Sequence, residues 1–561
     1  MALPPAGSFN SRLLFVGAAL AAFLLLNHSA RVIGSSVGQF QDSLWDYNPA
    51  VGMANGISIY EPQEISIGGR PVPLTTGSYQ GATRTWTLVP LLKIFGTSPR
   101  TITTLNAVYA FAYLLALSWA LVPAVGRRLA WLAFVVPFVD TNLLVTMPHE
   151  PGPSLTQYIF GALSIGALLR YVATGSTRHL LLTAFFEGAL LAQKLTAIPL
   201  VIGFVVVTTL VSLPGLRRAR LERGAADAIS MRLILPVFVF LVPLFPHLLY
   251  LARAGTADLL SMTDATRTPY FTALFQNFGY GIALFDGVDW YGRMTIDPAA
   301  DSMKLPPFLA WTAFALAGGS VLLGGFRQGW REHGRFVAVT AAVLTASFLA
   351  YPAFAGLNRP WHLYIMMPLV NAIGLMGLVH VALSAGAAIG RPRAAGIVAA
   401  VALAAASGLG LVHGLTMVRR FDAMKGIGMT SPALYEIYQA TDAAHPDRVV
   451  TLNYSLGSPL FVLSNARFRT HDLAWTALTA TYQDELLDDV EKNESTAIVY
   501  RLCRDTRGDG DWIRWQNREP EIFDFIKRVE ARAEKLSVTR VTDNRQTEFV
   551  LIRKRRPGDS R

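Results

Sequence analysis

Charge is scarce in this chain. Only 16% of its 561 residues are Asp, Glu, Lys or Arg, against 52% apolar residues, and the mean hydropathy is +0.37. A soluble enzyme of this length needs far more charge on its surface, so that class is excluded. Cysteine is almost missing too. Cys503 stands alone, which rules out an internal disulfide and says little about compartment. No P-loop pattern occurs, so chemistry driven by a bound nucleotide has no support. There is no internal repeat, and the only biased tract is the basic tail RKRRPGDSR.

What the sequence has instead is a succession of apolar runs near the 20-residue length that crosses a bilayer. The first is 13–26; NHSARVIG follows it without a small-x-small cleavage site, so it reads as a retained span. Further spans centre on 103–121, 129–146, 155–172, 180–195, 198–213, 233–251, 307–325, 336–354, 363–383 and 394–415. The expectation is a polytopic α-helical membrane protein with about 11 transmembrane helices. After them the composition turns polar. Strand-like runs at 449–452, 497–502 and 549–552 and a helical stretch at 521–535 imply a C-terminal α/β domain. The expected division is 1–417 for the membrane domain and 418–561 for the α/β domain.

The net charge of +11 belongs to the membrane part, because acids and bases nearly balance beyond residue 417. The excess sits in short loops: Arg127 and Arg128, Arg170 and Arg178, the LRRARLER run, Arg327 with Arg331 and Arg335, and Arg391 with Arg393. All fall on one side if the N-terminus is cytoplasmic. That is a topology signal rather than a nucleic-acid footprint. The long loops 34–100 and 253–306 and the C-terminal domain are then extracytoplasmic, in a multi-pass plasma membrane or bacterial inner membrane protein. Long loops usually carry function, so chemistry is expected on that face.

The first of these loops, QDSLWDYNPAVGMANG to GSYQGATRTWTLVPLLKIFG, carries the leading candidate, Asp46, with Asp42 four residues earlier. A carboxylate at the membrane surface can accept the proton of an attacking hydroxyl; the plain alternative is a solvated loop charge. His149 and Glu150, in MPHEPGPS, offer a second acid and a hydrogen-bonding or ligating imidazole. Ser154 capping the next helix is the structural alternative. Asp46, His149 and Glu150 could gather around a divalent cation, although their spacing is no fixed ligand motif.

Lys194, between two short apolar runs, needs a partner: a lipid phosphate, or Glu187 seven residues earlier. Arg84 and Arg359 have the planar fork that suits phosphate. His362, Trp86 and Tyr79 lie near them in sequence, with an interfacial aromatic belt and snorkelling anchors as the alternatives. Asp140 reads as a polar contact between helices. In the C-terminal part, Asp509 lies in a weak calcium-loop pattern that lacks its closing Glu. Trp475, Trp512 and Trp515 suit either sugar stacking or the core.

Together, DYNPAVGMANGISIY, GGRPVPL, GSYQGATRTW, VPLLKIFG, HEPGP, ALLAQKLTAIPL and RPWHLYIMMPL resemble, in their order, the GT-C superfamily of polyprenyl-phosphate-sugar glycosyltransferases. The resembling branch is that of bacterial aminoarabinose transferase and protein O-mannosyltransferase, and the likeness covers the membrane part to about residue 383. It implies an inverting transfer from a polyprenyl-phosphate-linked sugar donor to a hydroxyl on a glycan, lipid or protein acceptor. The implied roles are Asp46 and Glu150 as catalytic carboxylates and Lys194, Arg84 and Arg359 at the donor phosphate. Asp42, His149, His362, Trp86 and Tyr79 stand around them. Tyr47 stands where the family often has a second acid. Membrane lipid is an expected partner and nucleic acid is not. A polytopic transporter or lipid flippase is the other class, although the duplicated halves common in transporters are not evident.

Overall fold

The structure is a computed structural model. It describes residues 11–38, 44–59, 63–77, 79–147, 154–223, 230–255, 269–283, 288–295, 297, 299–303, 334–354, 360–388, 390–427, 430–474, 476–503, 521–544 and 547–557. Asp42, His149, Glu150, Arg359, Trp475, Asp509, Trp512, Trp515 and the expected span 307–325 lie outside these residues.

The chain opens with α1 (Ser11–Ser36), then the first loop with α2 (Tyr47–Asn55), β1 (Glu64–Ile67), β2 (Arg70–Pro73), β3 (Thr75–Gly77), β4 (Gln80–Gly81) and α3 (Thr83–Phe95). β1 and β2 form a hairpin closed by Gly68 and Gly69, both at positive φ, as a two-residue turn of that hand requires. Next come α4 (Pro99–Val125), the short helices α5 (Val136–Val139) and α6 (Thr141–Val145), and the long α7 (Ser154–Thr174), α8 (Thr177–Gln193) and α9 (Ile198–Arg223). They are followed by α10 (Leu235–Ala254), α11 (Tyr270–Ala283), α12 (Val288–Thr295), α13 (Arg335–Ala350), α14 (Met367–Ala388) and α15 (Pro392–Met424).

Among the described residues, 8 helices are long and apolar enough to cross a membrane. They match eight of the eleven expected spans. Their outward faces are apolar, as with Val237, Phe238, Val242 and Phe245 on α10 and Ile397, Val398 and Val401 on α15. Such faces are stable only against lipid or another protein. Two expected spans look different. α8 is 17 residues long, just short of a full crossing. The run 129–146 is a 3-10 turn (Ala130–Val135) followed by two short helices, α5 and α6. Pro137 is the second residue of α5, and Asp140 caps α6 by accepting the Leu143 N–H. These two residues punctuate a run that hydropathy reads as continuous.

The chain then continues as α16 (Ala433–Ala443), β5 (Arg448–Thr451), α17 (Gly457–Leu463), β6 (Arg469–Asp472), α18 (Ala480–Lys492), β7 (Thr496–Cys503), α19 (Glu521–Ala531), β8 (Leu536–Thr542) and β9 (Thr547–Lys554). The five strands make one sheet in the order β6-β5-β7-β9-β8, with β5 parallel to β6 and β7 and with β9 antiparallel to β7 and β8. Ile498 and Tyr500 of β7 face Leu487, Val490, Ile522 and Phe525 of α18 and α19, whereas Ala497 and Val499 face Ile437 and Leu460 of α16 and α17. A strand covered on both faces reads as a continuous apolar run, as AIVY (497–500) does within β7.

The far side of α17 joins the first loop. Phe461, Val462 and Leu463 share a core with Tyr47 and Val51 of α2, Leu88 and Leu92 of α3, and Ile102 of α4. Each side chain buried in this way contributes about 1.5–3 kcal/mol. Asn48 adds a hydrogen bond to Ser458 at 3.3 Å. The first loop is thus clamped between the membrane helices and the sheet region.

Candidate active site

Asp46 precedes α2 at its N-cap, where an aspartate usually accepts hydrogen bonds from the first turn. Here the side chain makes no capping bond. It turns toward Arg84, whose Nη1 lies 3.7 Å from Asp46 Oδ2, with both side chains sealed from solvent. Thr85 fixes the backbone by donating to the Asp46 carbonyl at 3.1 Å. Asp46 Oδ1 is buried and makes no hydrogen bond among the described residues.

Arg84 stands in the first turn of α3 and is held on three sides. Its Nη2 donates to Asn106 Oδ1 on α4 at 2.7 Å, and its guanidinium lies 4.7 Å from the Tyr109 ring centre and 5.4 Å from that of Tyr47. Tyr47 donates to the same Asn106 oxygen at 2.8 Å. The residue in place of a second acid therefore helps to seat the arginine. Arg84 and Asp46 are equally enclosed, each 2% exposed.

Lys194 reaches the same place from the junction of α8 and α9. Pro199, near the start of α9, has no N–H to offer the carbonyl of residue 195, so the two helices cannot run on as one. At the break Lys194 is extended (φ −160, ψ 122) and bridges antiparallel to Gln80 of β4. The Leu195 N–H donates to the Tyr79 carbonyl at 2.8 Å. A Cβ on Gly81 would collide with the Ala192 carbonyl, so glycine is what lets β4 lie against the end of α8. The Lys194 ammonium lies 5.7 Å from the Tyr79 ring centre. Trp45 packs edge-on against Tyr79 and donates its indole N–H to the Thr76 carbonyl.

The electrostatics follow from this enclosure. Burial pushes the Asp46 carboxyl up from its usual range to about 6, while Arg84 first, then Lys194 and the Thr76 hydroxyl, pull it down. An acid with that balance carries charge at neutral pH and takes up a proton easily, as a general base requires.

Of the residues singled out from the sequence, Asp46, Arg84, Lys194 and Tyr79 come together. Trp86 instead donates to the Pro73 carbonyl at 2.9 Å and holds the end of β2. His362 lies on the 3-10 turn Pro360–Met366, where its carbonyl accepts from Tyr351. Glu187 takes a hydrogen bond from Thr208 of α9 at 3.4 Å, while the charge of Lys194 acts on Asp46. Asp140 is the expected link between helices: Asn371 of α14 donates to it at 3.0 Å and to Tyr113 at 3.1 Å. Among the described residues no group of three His, Cys, Asp or Glu side chains could hold a metal. Sequence reasoning missed Asn106 and Tyr109. The signal was present as two polar groups three residues apart within a span, TLNAVYAF.

No protein-family model matches the sequence, and a comparison with curated proteins finds no match. Solved structures do match. The crystal structure of ArnT from Cupriavidus metallidurans bound to undecaprenyl phosphate aligns with a TM-score of 0.57 and 13% sequence identity, covering 97% of this chain and 98% of that one. The apo state of the same protein aligns with the same figures. At this identity the likeness is one of fold, over nearly the whole of both chains. The chain is a multi-pass membrane protein with the GT-C fold.

Proposed function

We propose that the protein is a membrane glycosyltransferase that moves a sugar from a polyprenyl-phosphate donor to a hydroxyl acceptor on the extracytoplasmic side. One observation carries this reading: the enclosed Asp46 carboxylate lies 3.7 Å from Arg84 and in the field of Lys194, so the first loop joins one acid to two cations. The undecaprenyl phosphate in the ArnT structure of the same fold supports a lipid phosphate as the donor's carrier.

In the mechanism, Asp46 Oδ1 accepts the proton of the acceptor hydroxyl while that oxygen bonds to the anomeric carbon. The bond from the anomeric carbon to the phosphate oxygen breaks, its electron pair leaves with the polyprenyl phosphate, and the configuration inverts. Lys194 offsets the charge that develops on the leaving phosphate. Arg84 positions Asp46 and keeps it ionised at neutral pH; Asn106, Tyr109 and Tyr47 position Arg84. Glu150 and Arg359 are proposed as a second acid and a second cation on the same face.

The test is sugar transfer by purified protein from a panel of polyprenyl-phosphate sugars, comparing the wild type with Asp46→Asn. The variant is expected to insert normally and to lose transfer. Transfer at the wild-type rate would remove Asp46 as the base.

A further inference from the structure

A second cationic site stands apart from Asp46. A cavity of about 570 Å³ opens where the end of α1, the start of α4 and α16 meet. Arg31 enters it from α1 and Arg100 from the first turn of α4. Both side chains are exposed, and neither forms an ion pair among the described residues. No carboxylate appears among the described lining residues. This differs from the basic surface around β6, where Arg448 already faces Asp489 at 3.6 Å and Arg467 already faces Asp442 at 2.7 Å.

Its depth in the molecule is set by the two spans. Arg31 follows the apolar run 13–26 by about five residues, or roughly 8 Å along the helix. Arg100 sits just ahead of the run that begins at residue 103. Both guanidinium groups therefore lie at headgroup level, on the side of the membrane that carries the first loop. One arginine at a span end is an ordinary snorkelling anchor. Two from different spans, aimed into one cavity beside the positive end of a 27-residue helix, make a place for an oxyanion. The cavity wall is fixed. The Tyr435 hydroxyl hydrogen is shared between the Gly34 and Val37 carbonyls at 3.2 Å each, and the Ser98 side chain caps α4 by accepting from Thr101. Gly34 lets α1 approach Thr103 of α4 closely.

We infer that this cavity binds the phosphate of an anionic membrane lipid and so ties α16, the first helix of the sheet region, to the bilayer surface. The inference does not depend on the role given to Asp46.

The experiment uses the full chain in nanodiscs of phosphatidylcholine carrying a minor fraction of phosphatidylglycerol, with retained lipid counted by native mass spectrometry. Wild type is expected to retain phosphatidylglycerol over phosphatidylcholine. The pair Arg31→Ala and Arg100→Ala should lower that preference roughly thirtyfold, at about fivefold for each arginine near a charged surface. The pair Arg31→Lys and Arg100→Lys should keep most of it, and Asp46→Asn all of it. An unchanged melting temperature of the alanine variant in pure phosphatidylcholine discs checks that it is folded. Equal retention of phosphatidylglycerol by the alanine variant would overturn the site. Displacement of the lipid by millimolar inorganic phosphate would overturn the claim that a lipid, rather than a soluble anion, is the ligand.

Discussion

Arg528, in the last turn of α19, and Arg532, just after it, face Asp484, Asp488 and Glu491 of α18 across a surface partly open to water, with Arg532 meeting Asp488 at 2.6 Å and Asp484 at 3.0 Å. Arg84 meets Asp46 at 3.7 Å with both side chains shut away from water. The exposed network has the shorter contacts and the smaller consequence, because solvent screens it and each side chain has water as an alternative partner. The enclosed pair is looser, yet neither member can be removed without leaving a buried charge unpaired. Short distances between charges thus say little about what a pair contributes; enclosure says more.

The largest effect expected from breaking this contrast is on turnover. Asp46→Asn should lower the rate of sugar transfer by about 10²–10⁴-fold, the range for loss of a general base, with donor binding largely kept. Next comes the counter-ion. Arg84→Ala should destabilise the protein by about 3–5 kcal/mol, read from its thermal melt, because buried Asp46 loses its ion pair and Asn106 loses one of its two donors. It should also move the activity optimum to higher pH.

The carboxyl of Asp46 sharpens the comparison through pH. Its folded value of about 6 lies above the ordinary 3.8. The protonated form is therefore favoured by folding, and that contribution is complete below about pH 4 and lost as pH rises through 6. Two units correspond to about 3 kcal/mol. The melting temperature of Asp46→Asn relative to wild type should accordingly increase between pH 4 and pH 7, while wild-type transfer increases through pH 6 as the base ionises. A flat difference across that range would mean that Asp46 is ionised in the folded protein throughout.

Lys194→Ala should raise the donor Kd roughly 10–100-fold, the loss of one charge-assisted contact to phosphate, and leave acceptor KM close to wild type. An unchanged donor affinity would move Lys194 from the phosphate to a role confined to Asp46. The smallest effect belongs to the surface. Arg532→Ala should shift the melting temperature by no more than about 2 °C, and less in high salt.

Eight spans, the sheet region and the break at Lys194 were legible because each rests on a local signal. Apolar runs of bilayer length mark spans, and a lysine between two of them marks a break. What was hidden depended on distant residues meeting. Arg84 reads from sequence as an exposed outer-face cation, and only the approach of Asn106, Tyr109 and Tyr47 encloses it. The run 129–146 reads as one span because hydropathy averages over Pro137 and Asp140, whose effect is on backbone hydrogen bonds rather than on greasiness. The seven-residue spacing of Glu187 and Lys194 predicts a shared helix face, but the helix ends at Gln193 and the lysine leaves that face.

The backbone bridge between Gln80 and Lys194 has a kinetic consequence. The lysine is registered to the first loop by main-chain hydrogen bonds, not merely by its side chain. Any fluctuation that lifts this loop from the membrane helices must break the bridge, carrying off the acid or leaving the cation unseated. The positions of Asp46 and Lys194 are therefore coupled through the backbone of the first loop.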